Sequence, residues 1–298
     1  MSPILSNRVQ KIKPSATIAV SDKAKQLKAQ GVKIVSMGSG EPDFDTPVNI
    51  QKAATQAIGA GETRYTAVDG TPQLKKAICE KFKRENGLDY SVSEVMVSSG
   101  GKQVFYNLCQ AILSRGDEVI IPSPYWVSYP DIAILADSTP VFIEAGLDQE
   151  FKITPEQLEL SINGNTKLFV LNSPSNPTGA VYTKTEIEGL GAVLERHPHV
   201  YVISDDIYEH IRWEDDAFVN IAMACPKLKE RTVILNGVSK AYAMTGWRIG
   251  YATGPDEIIR AMKKIQGQST SNPSSISQAA ALEAVSYTHL TLPTKRIV

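Results

Sequence analysis

Lys240 stands in a run of mostly small residues, Asn236-Gly237-Val238-Ser239-Lys240-Ala241-Tyr242-Ala243-Met244-Thr245-Gly246-Trp247-Arg248-Ile249-Gly250. The run follows the apolar stretch Thr232-Val233-Ile234-Leu235 and leads into another at 249–253. A lysine among small neighbours, just past a buried strand, loses hydration. Its pKa falls, and its amine becomes a nucleophile for a carbonyl. Arg248 adds a planar fork suited to a phosphate. A lone Lys–Arg pair is most often an ordinary surface loop, so the weight falls on the other segments.

Those segments carry groups that match. Ser99-Gly100-Gly101 opens a helix, and free amides at a helix start bind phosphate. Arg248 and the Ser239 hydroxyl can complete that cradle. Lys102 does not turn it into a nucleotide P-loop, because the upstream glycine and the following Ser/Thr are absent. Trp126 is either a flat cover for a planar ring or a core aromatic. Asp205, ending an apolar run, is costly to bury unless a cation answers it. A protonated pyridine nitrogen is such a cation. Tyr208 and Asn176 can donate to a phenolate oxygen, and Lys240 can attack an aldehyde. Phosphate, planar ring, basic nitrogen, phenolate and aldehyde together describe pyridoxal 5′-phosphate.

The elements that must position these groups alternate. Strands are predicted at Val95–Ser98, Glu118–Ile121, Pro140–Glu144, Lys167–Leu171, Val200–Ser204, Thr232–Leu235 and Ile249–Thr253. Helix signals stand between several of them: Val104, Leu108 and Ile112 fall four apart, and Thr183 with Glu186 makes a capping box. A helix is expected from Pro47 to Ile58, and another from Gln73 to Asn86, capped by Thr71-Pro72 and ended by Gly87. The pattern implies an α/β fold, a mostly parallel seven-stranded sheet flanked by helices. The short link before the seventh strand implies that this strand runs antiparallel. In such a sheet ligands sit beyond the carboxyl ends of the strands, and the groups above fall there repeatedly. Nearer the amino terminus, polar helical signals precede a short strand at Val32–Ser36. The loop Gly38-Ser39-Gly40 then allows close approach to a ligand but lacks the third glycine of a dinucleotide fingerprint.

Bulk composition removes other classes. The chain has 298 residues, with 31 basic against 32 acidic, so no charge excess recommends nucleic acid or an anionic membrane. No apolar run approaches the ~20 residues of a membrane helix. The segment Met1 to Arg8 lacks a signal-peptide core. Cys79, Cys109 and Cys225 form neither a metal spacing nor a disulfide framework, and His197 and His199 flank a proline in a polar stretch, so no metal is expected. A cytoplasmic protein is the expectation.

The motifs Gly38 to Pro47, Ser99-Gly100-Gly101-Lys102-Gln103, Ser123 to Pro130, Asn172 to Gly179, Ser204 to His210 and Ser239 to Gly250 carry a family resemblance. From about Arg8 to about Val285 the chain resembles fold-type I, class I pyridoxal-phosphate aminotransferases, in particular the bacterial aspartate aminotransferase branch. That resemblance implies Lys240 as the lysine that binds the cofactor's aldehyde and shuttles the proton, and Asp205 as the acid facing the ring nitrogen. Tyr208 and Asn176 would bond the phenolic oxygen, and Trp126 would stack on the ring. Gly100, Gly101, Ser239 and Arg248, with Lys102 beside them, would form the phosphate side of the site. Tyr65 would be lent to the neighbouring subunit's phosphate, implying a homodimer with shared active sites. Gly40, Trp126, Asn176 and Lys102 would meet substrate, Lys102 at a distal carboxylate. The peptide bonds before Pro124 and Pro177 would be cis.

The implied reaction moves an amino group from aspartate or a similar amino acid to a 2-oxo acid such as 2-oxoglutarate. Two alternatives stay open: a lyase or synthase using the same cofactor, and a non-catalytic fragment. The implied organisation is an N-terminal arm with part of a small domain over 1–45 and a large cofactor-binding domain over 46–285. Residues 286–298 resemble no continuation of the family and are expected to be a non-native tail, with the small domain incomplete and its substrate-carboxylate arginine missing.

Overall fold

The alternation of apolar strands and helices builds a seven-stranded sheet in the computed structural model, which describes residues 4–286 apart from Ser15, Ser36, Met37, Ser39, Glu214 and Asp215. The strands are β1 (Val95–Ser98), β2 (Glu118–Ser123), β3 (Thr139–Glu144), β4 (Thr166–Asn172), β5 (Tyr201–Asp205), β6 (Thr232–Gly237) and β7 (Gly250–Thr253). Their order is β1-β7-β6-β5-β4-β2-β3. Neighbours from β3 through β6 pair in parallel. Only β7 opposes its partners, β1 and β6, as the short link 238–249 requires. That link holds a single 3-10 turn, Thr245–Trp247, and cannot make a crossover.

Both faces of the sheet are covered. Along β4, Leu168 and Val170 join one core cluster while Phe169 and Leu171 join another, as the two-residue period of a strand dictates. On the first side the helices Gly101–Ile112 and Asp256–Gly267 bury Val104, Phe105, Leu108 and Met262. On the other, Lys184–Arg196 contributes Ile187, Leu190 and Leu194. There Val48–Gly59 and Pro72–Lys81 also bury Ile50, Leu74 and Ile78, against Ala280 and Ala284 of the last helix, Ser275–Ser286. The capping box at Thr183 forms as expected, with Glu186 Oε2 accepting from the Thr183 amide at 2.7 Å.

Two expectations need correction. The helix predicted over 73–86 is α-helical only to Lys81 and then widens into a π turn, Phe82–Asn86, before Gly87 ends it in the left-handed region. The strand expected over 32–36 does not form in its described residues, 32–35. Val35 is 88% exposed there, and a lone apolar segment without a paired edge has no ladder to join. The expected tail lies, from Tyr287 onward, outside the described residues. Among the described residues no helix is long and apolar enough to cross a membrane.

Candidate active site

Five of the loops that leave the parallel strands converge with Arg248 on one cleft of about 200 Å³. Gly101 and Lys102, Trp126, Asn176, Asp205 and Tyr208, Ser239 and Lys240, and Arg248 all line it, together with Tyr129, Asn172, Ile207, Leu235 and Thr245. The convergence follows from the parallel sheet, whose strands all end on the same rim.

At one end the geometry suits an anion. Gly100 sits at φ +93° before the first turn of the helix Gly101–Ile112, and a Cβ there would fall inside the Arg248 guanidinium. Only glycine therefore lets Arg248 reach the helix start, whose first amides lack intrahelical partners. Arg248 Nη1 donates to Thr245 O at 2.9 Å, which leaves its fork edge near Ser99 and Gly101. The strand that delivers this turn is braced by Gln266, fully buried. Its Oε1 accepts from Ser98 Oγ at 2.6 Å and Asn107 Nδ2 at 2.9 Å, and its Nε2 donates to Val68 O at 2.6 Å and Val97 O at 2.8 Å.

The other walls carry acid and base. Asp205, buried at the end of β5, accepts from Tyr129 Oη at 2.5 Å and from the Ile207 amide at 3.3 Å. Both donors are neutral. Burial pushes the Asp205 carboxyl up to about 6, against these bonds and the nearby Lys240 charge. Lys240 is pulled below the ordinary lysine range, first by desolvation and further by Arg248, while Glu41 and Asp205 oppose the shift. Its Nζ donates to Gly40 O and lies 5.7 Å from the Tyr208 ring centroid. Burial and the Asp205 charge push the Tyr208 phenol up to about 12, against a bond from Asn176. Asn176 is itself placed by Asn172, whose Oδ1 accepts the Asn176 amide at 2.8 Å and whose Nδ2 donates to Asp205 O at 2.9 Å. The peptide bonds before Pro124 and Pro177 are cis as expected, and so is the one before Pro174.

Lys102 packs its ammonium 5.2 Å from the Trp126 ring centroid, and its pKa is lowered by burial and by Arg248. Gly40 closes the cleft from the amino-terminal segment: a Cβ there would lie 3.7 Å from both Lys240 Nζ and Tyr208 Oη. Tyr65 is the exception among the expected residues. It is 92% exposed and lines a different surface depression, with Arg64, Thr66 and Leu282. Sequence reasoning assigned no role to Tyr129, Asn172 or Thr245. Tyr129 meets Asp205 across 76 positions, a separation that no local spacing reports.

The group the sequence implies can be tested against this geometry. Its aldehyde needs an amine of lowered pKa, its phosphate an arginine-lined helix start, and its ring nitrogen a buried acid without a protein cation in contact. Lys240, the Gly100–Arg248 turn and Asp205 meet those requirements in one cleft.

The profile of the family "Aminotransferase class I and II" matches residues 32–296. The chain is 60% identical over 281 residues to an aspartate/prephenate aminotransferase of Nitrosomonas europaea, covering 94% of this chain and 71% of that one. It is 59% identical over 292 residues to the enzyme of the same name from Cereibacter sphaeroides, covering 98% and 73%. Among solved structures it superposes on the aspartate aminotransferase of Rhizobium meliloti with TM-score 0.94 and 49% identity, over 98% of this chain and 73% of that one. The Thermus thermophilus aspartate aminotransferase with maleate gives TM-score 0.91 and 47% identity, over 95% and 73%.

Proposed function

The chain belongs to the aminotransferase class I and II family and is that of an amino-group-transferring enzyme, and we propose that it works with pyridoxal 5′-phosphate on aspartate or a similar dicarboxylic amino acid. The observation that carries the cofactor assignment is the shared cleft of Lys240, Asp205 and the Gly100–Arg248 turn. On this reading Gly100, Gly101, Ser239 and Arg248 would hold the phosphate, and Trp126 would lie against the ring. Tyr208 and Asn176 hold the phenolic oxygen. When bound, the group supplies an aldehyde and an electron-withdrawing ring that stabilises charge at the amino acid's α carbon.

The remaining work is done by the chain. Lys240, its pKa lowered first by desolvation, gives up its proton more readily than an ordinary lysine, so its Nζ can act as a nucleophile and carry a proton. Asp205 sits where burial makes a neighbouring cation valuable, so it would keep the ring nitrogen of the bound group protonated. Lys102, exposed beside Trp126, is placed to receive a distal carboxylate. The maleate in the Thermus relative, a four-carbon dicarboxylate, supports a dicarboxylic substrate, and the names of the relatives support aspartate. The 2-oxo acid acceptor is 2-oxoglutarate or a close analogue.

Residues 46–285 act as the large cofactor-binding domain, with 1–45 as the N-terminal arm and part of the small domain, which brings Gly40 over the cleft. Tyr65, outside its own cleft, serves the partner's site in a homodimer, and the enzyme works in the cytoplasm. Borohydride reduction of the cofactor-loaded protein, followed by peptide mapping, is expected to fix the cofactor's mass on Lys240. A modification elsewhere, or none, overturns the assignment. In a separate, unreduced sample of the loaded protein, aspartate alone should give one equivalent of oxo acid per site, whereas sustained ammonia release would indicate a lyase.

A further inference from the structure

Behind the cleft lies a buried ion pair that the proposed chemistry does not use. Glu209 follows Tyr208, yet its side chain, 3% exposed, joins a separate polar cluster. Its Oε1 accepts from Lys81 Nζ and from Asn236 Nδ2 at 2.9 Å, and its Oε2 accepts from Asn86 Nδ2 at 3.2 Å. Lys81, 1% exposed, also donates to Asn86 Oδ1 at 2.9 Å and lies 3.6 Å from Glu85 Oε2. Glu85, Glu209 and His210 bring ligand atoms within 4.8 Å of one another, but the Lys81 ammonium already supplies the positive charge there.

A buried ion pair carries a desolvation cost, and apolar side chains of similar volume often match or exceed its stability. The placement of this pair offers a different reason for it. The turn after β5 faces two ways: Asp205, Ile207 and Tyr208 line the cleft, while Asp206 and Glu209 point into buried polar surroundings. Asp206 is held there by Ser204 Oγ at 2.6 Å and Asn220 Nδ2 at 2.7 Å. Asn236, the penultimate residue of β6 and just before Ser239 and Lys240, accepts the Gly237 amide on its own Oδ1 at 2.7 Å. Glu209 therefore joins the turn that carries Tyr208 to the strand end that carries Lys240.

We propose that Glu209 is a positioning residue which, through its hydrogen bond to Asn236, holds Lys240 in register with Tyr208, with Lys81 as its counter-ion. The proposal rests on the reading of those two residues as reacting groups.

Two double variants isolate the hydrogen bond from the charge. Lys81→Met/Glu209→Gln keeps an acceptor for Asn236 without leaving a buried charge. Lys81→Met/Glu209→Leu removes the acceptor, again without one. In the cofactor-free full chain, the rate of acetylation at Lys240 is followed against pH by peptide mass spectrometry, beside thermal melting. The Gln variant should melt close to the native chain and the Leu variant lower, because the Asn236 and Asn86 side-chain amides lose their acceptor. The Gln variant should keep the native labelling profile. In the Leu variant the midpoint should rise by about one pH unit, toward an ordinary lysine. Superimposable profiles for the two variants would overturn the proposal, as would an equal shift in both. If the Leu variant does not fold, Asn236→Ala removes the same bond with the ion pair intact and should give the same shift; a native profile there would also overturn it. Failure of the cofactor reading would show separately, as no borohydride-fixed mass on Lys240 of the native chain.

Discussion

Tyr129 Oη lies 2.5 Å from Asp205 Oδ2, and both side chains are buried. The phenol is the one side-chain donor that the described residues give this carboxylate, the other bond coming from the Ile207 amide. Tyr129 is in turn fixed by edge-on packing against Phe105 and Trp126, at centroid distances of 5.0 and 5.2 Å. The acid is thus aimed by an aromatic cluster that also forms the cleft wall.

Tyr129→Phe deletes a neutral donor to that buried carboxylate. A hydrogen bond to a charged group is worth about 1.5–3 kcal/mol, which corresponds to about one to two pH units. In cofactor-free protein the Asp205 carboxyl should therefore titrate higher than about 6, by up to that amount. Its infrared carboxyl band followed against pH reads the shift, and an unmoved titration would mean that Tyr129 does not aim the acid.

Asp205→Asn should separate stability from function. The folded pKa of Asp205, about 6, lies above its unfolded value near 3.8. Between those two values the folded state binds more protons than the unfolded, so its stability falls as pH rises and stays reduced above 6. Removing the charge should raise stability at pH 7–8 by about 1–3 kcal/mol and do nothing below pH 4. Cofactor-dependent amino transfer should be lost at the same time. Melting curves at pH 4 and pH 8 decide it: an equal effect at both, or destabilisation at pH 8, contradicts the burial cost assigned to this group.

Gly100→Ala and Arg248→Ala should fail alike. The first drives a Cβ into the guanidinium at a positive φ, and the second removes the guanidinium itself. Loss of a charge-assisted contact from this exposed arginine costs about 1.5–3 kcal/mol of binding, or about 10-fold to 150-fold in affinity for inorganic phosphate or cofactor. Equilibrium titration by tryptophan fluorescence measures it. Tight phosphate binding by the Arg248 variant would place the anion elsewhere.

Gln266→Leu should weaken the whole anion end without touching it. Four hydrogen bonds would be lost, stranding Ser98 Oγ, the Asn107 amide and the carbonyls of Val68 and Val97. Stranded buried polar groups cost about 1–3 kcal/mol each before relaxation, and a total loss of about 3–5 kcal/mol is expected. Chemical denaturation tests this, and a loss under 1 kcal/mol would mean that water replaces the amide.

How far the sequence reached follows from which contacts are local. The alternation of apolar strands with amphipathic helices announced the sheet, and the short 238–249 link announced the antiparallel β7. Val32–Val35 misled because an apolar, β-branched segment scores as a strand whether or not an edge is free to receive it. The π turn at Phe82–Asn86 left no mark in the periodicity.

By itself the sequence determined the chemistry on offer: a lysine after a buried strand, a glycine turn with an arginine to meet it, and an acid at a strand end. Parallel strands deliver their following loops to one rim, so residue type and order sufficed to gather Lys240, Asp205 and Arg248. Only the tertiary structure decided which buried polar groups meet. Tyr129 reaches Asp205 across 76 positions and Lys81 reaches Glu209 across 128, while Tyr65 stands outside the cleft altogether. Hydrogen bonds are short-ranged and directional, so a partner that far along the chain is chosen by the packing of whole helices and strands, which no local spacing encodes.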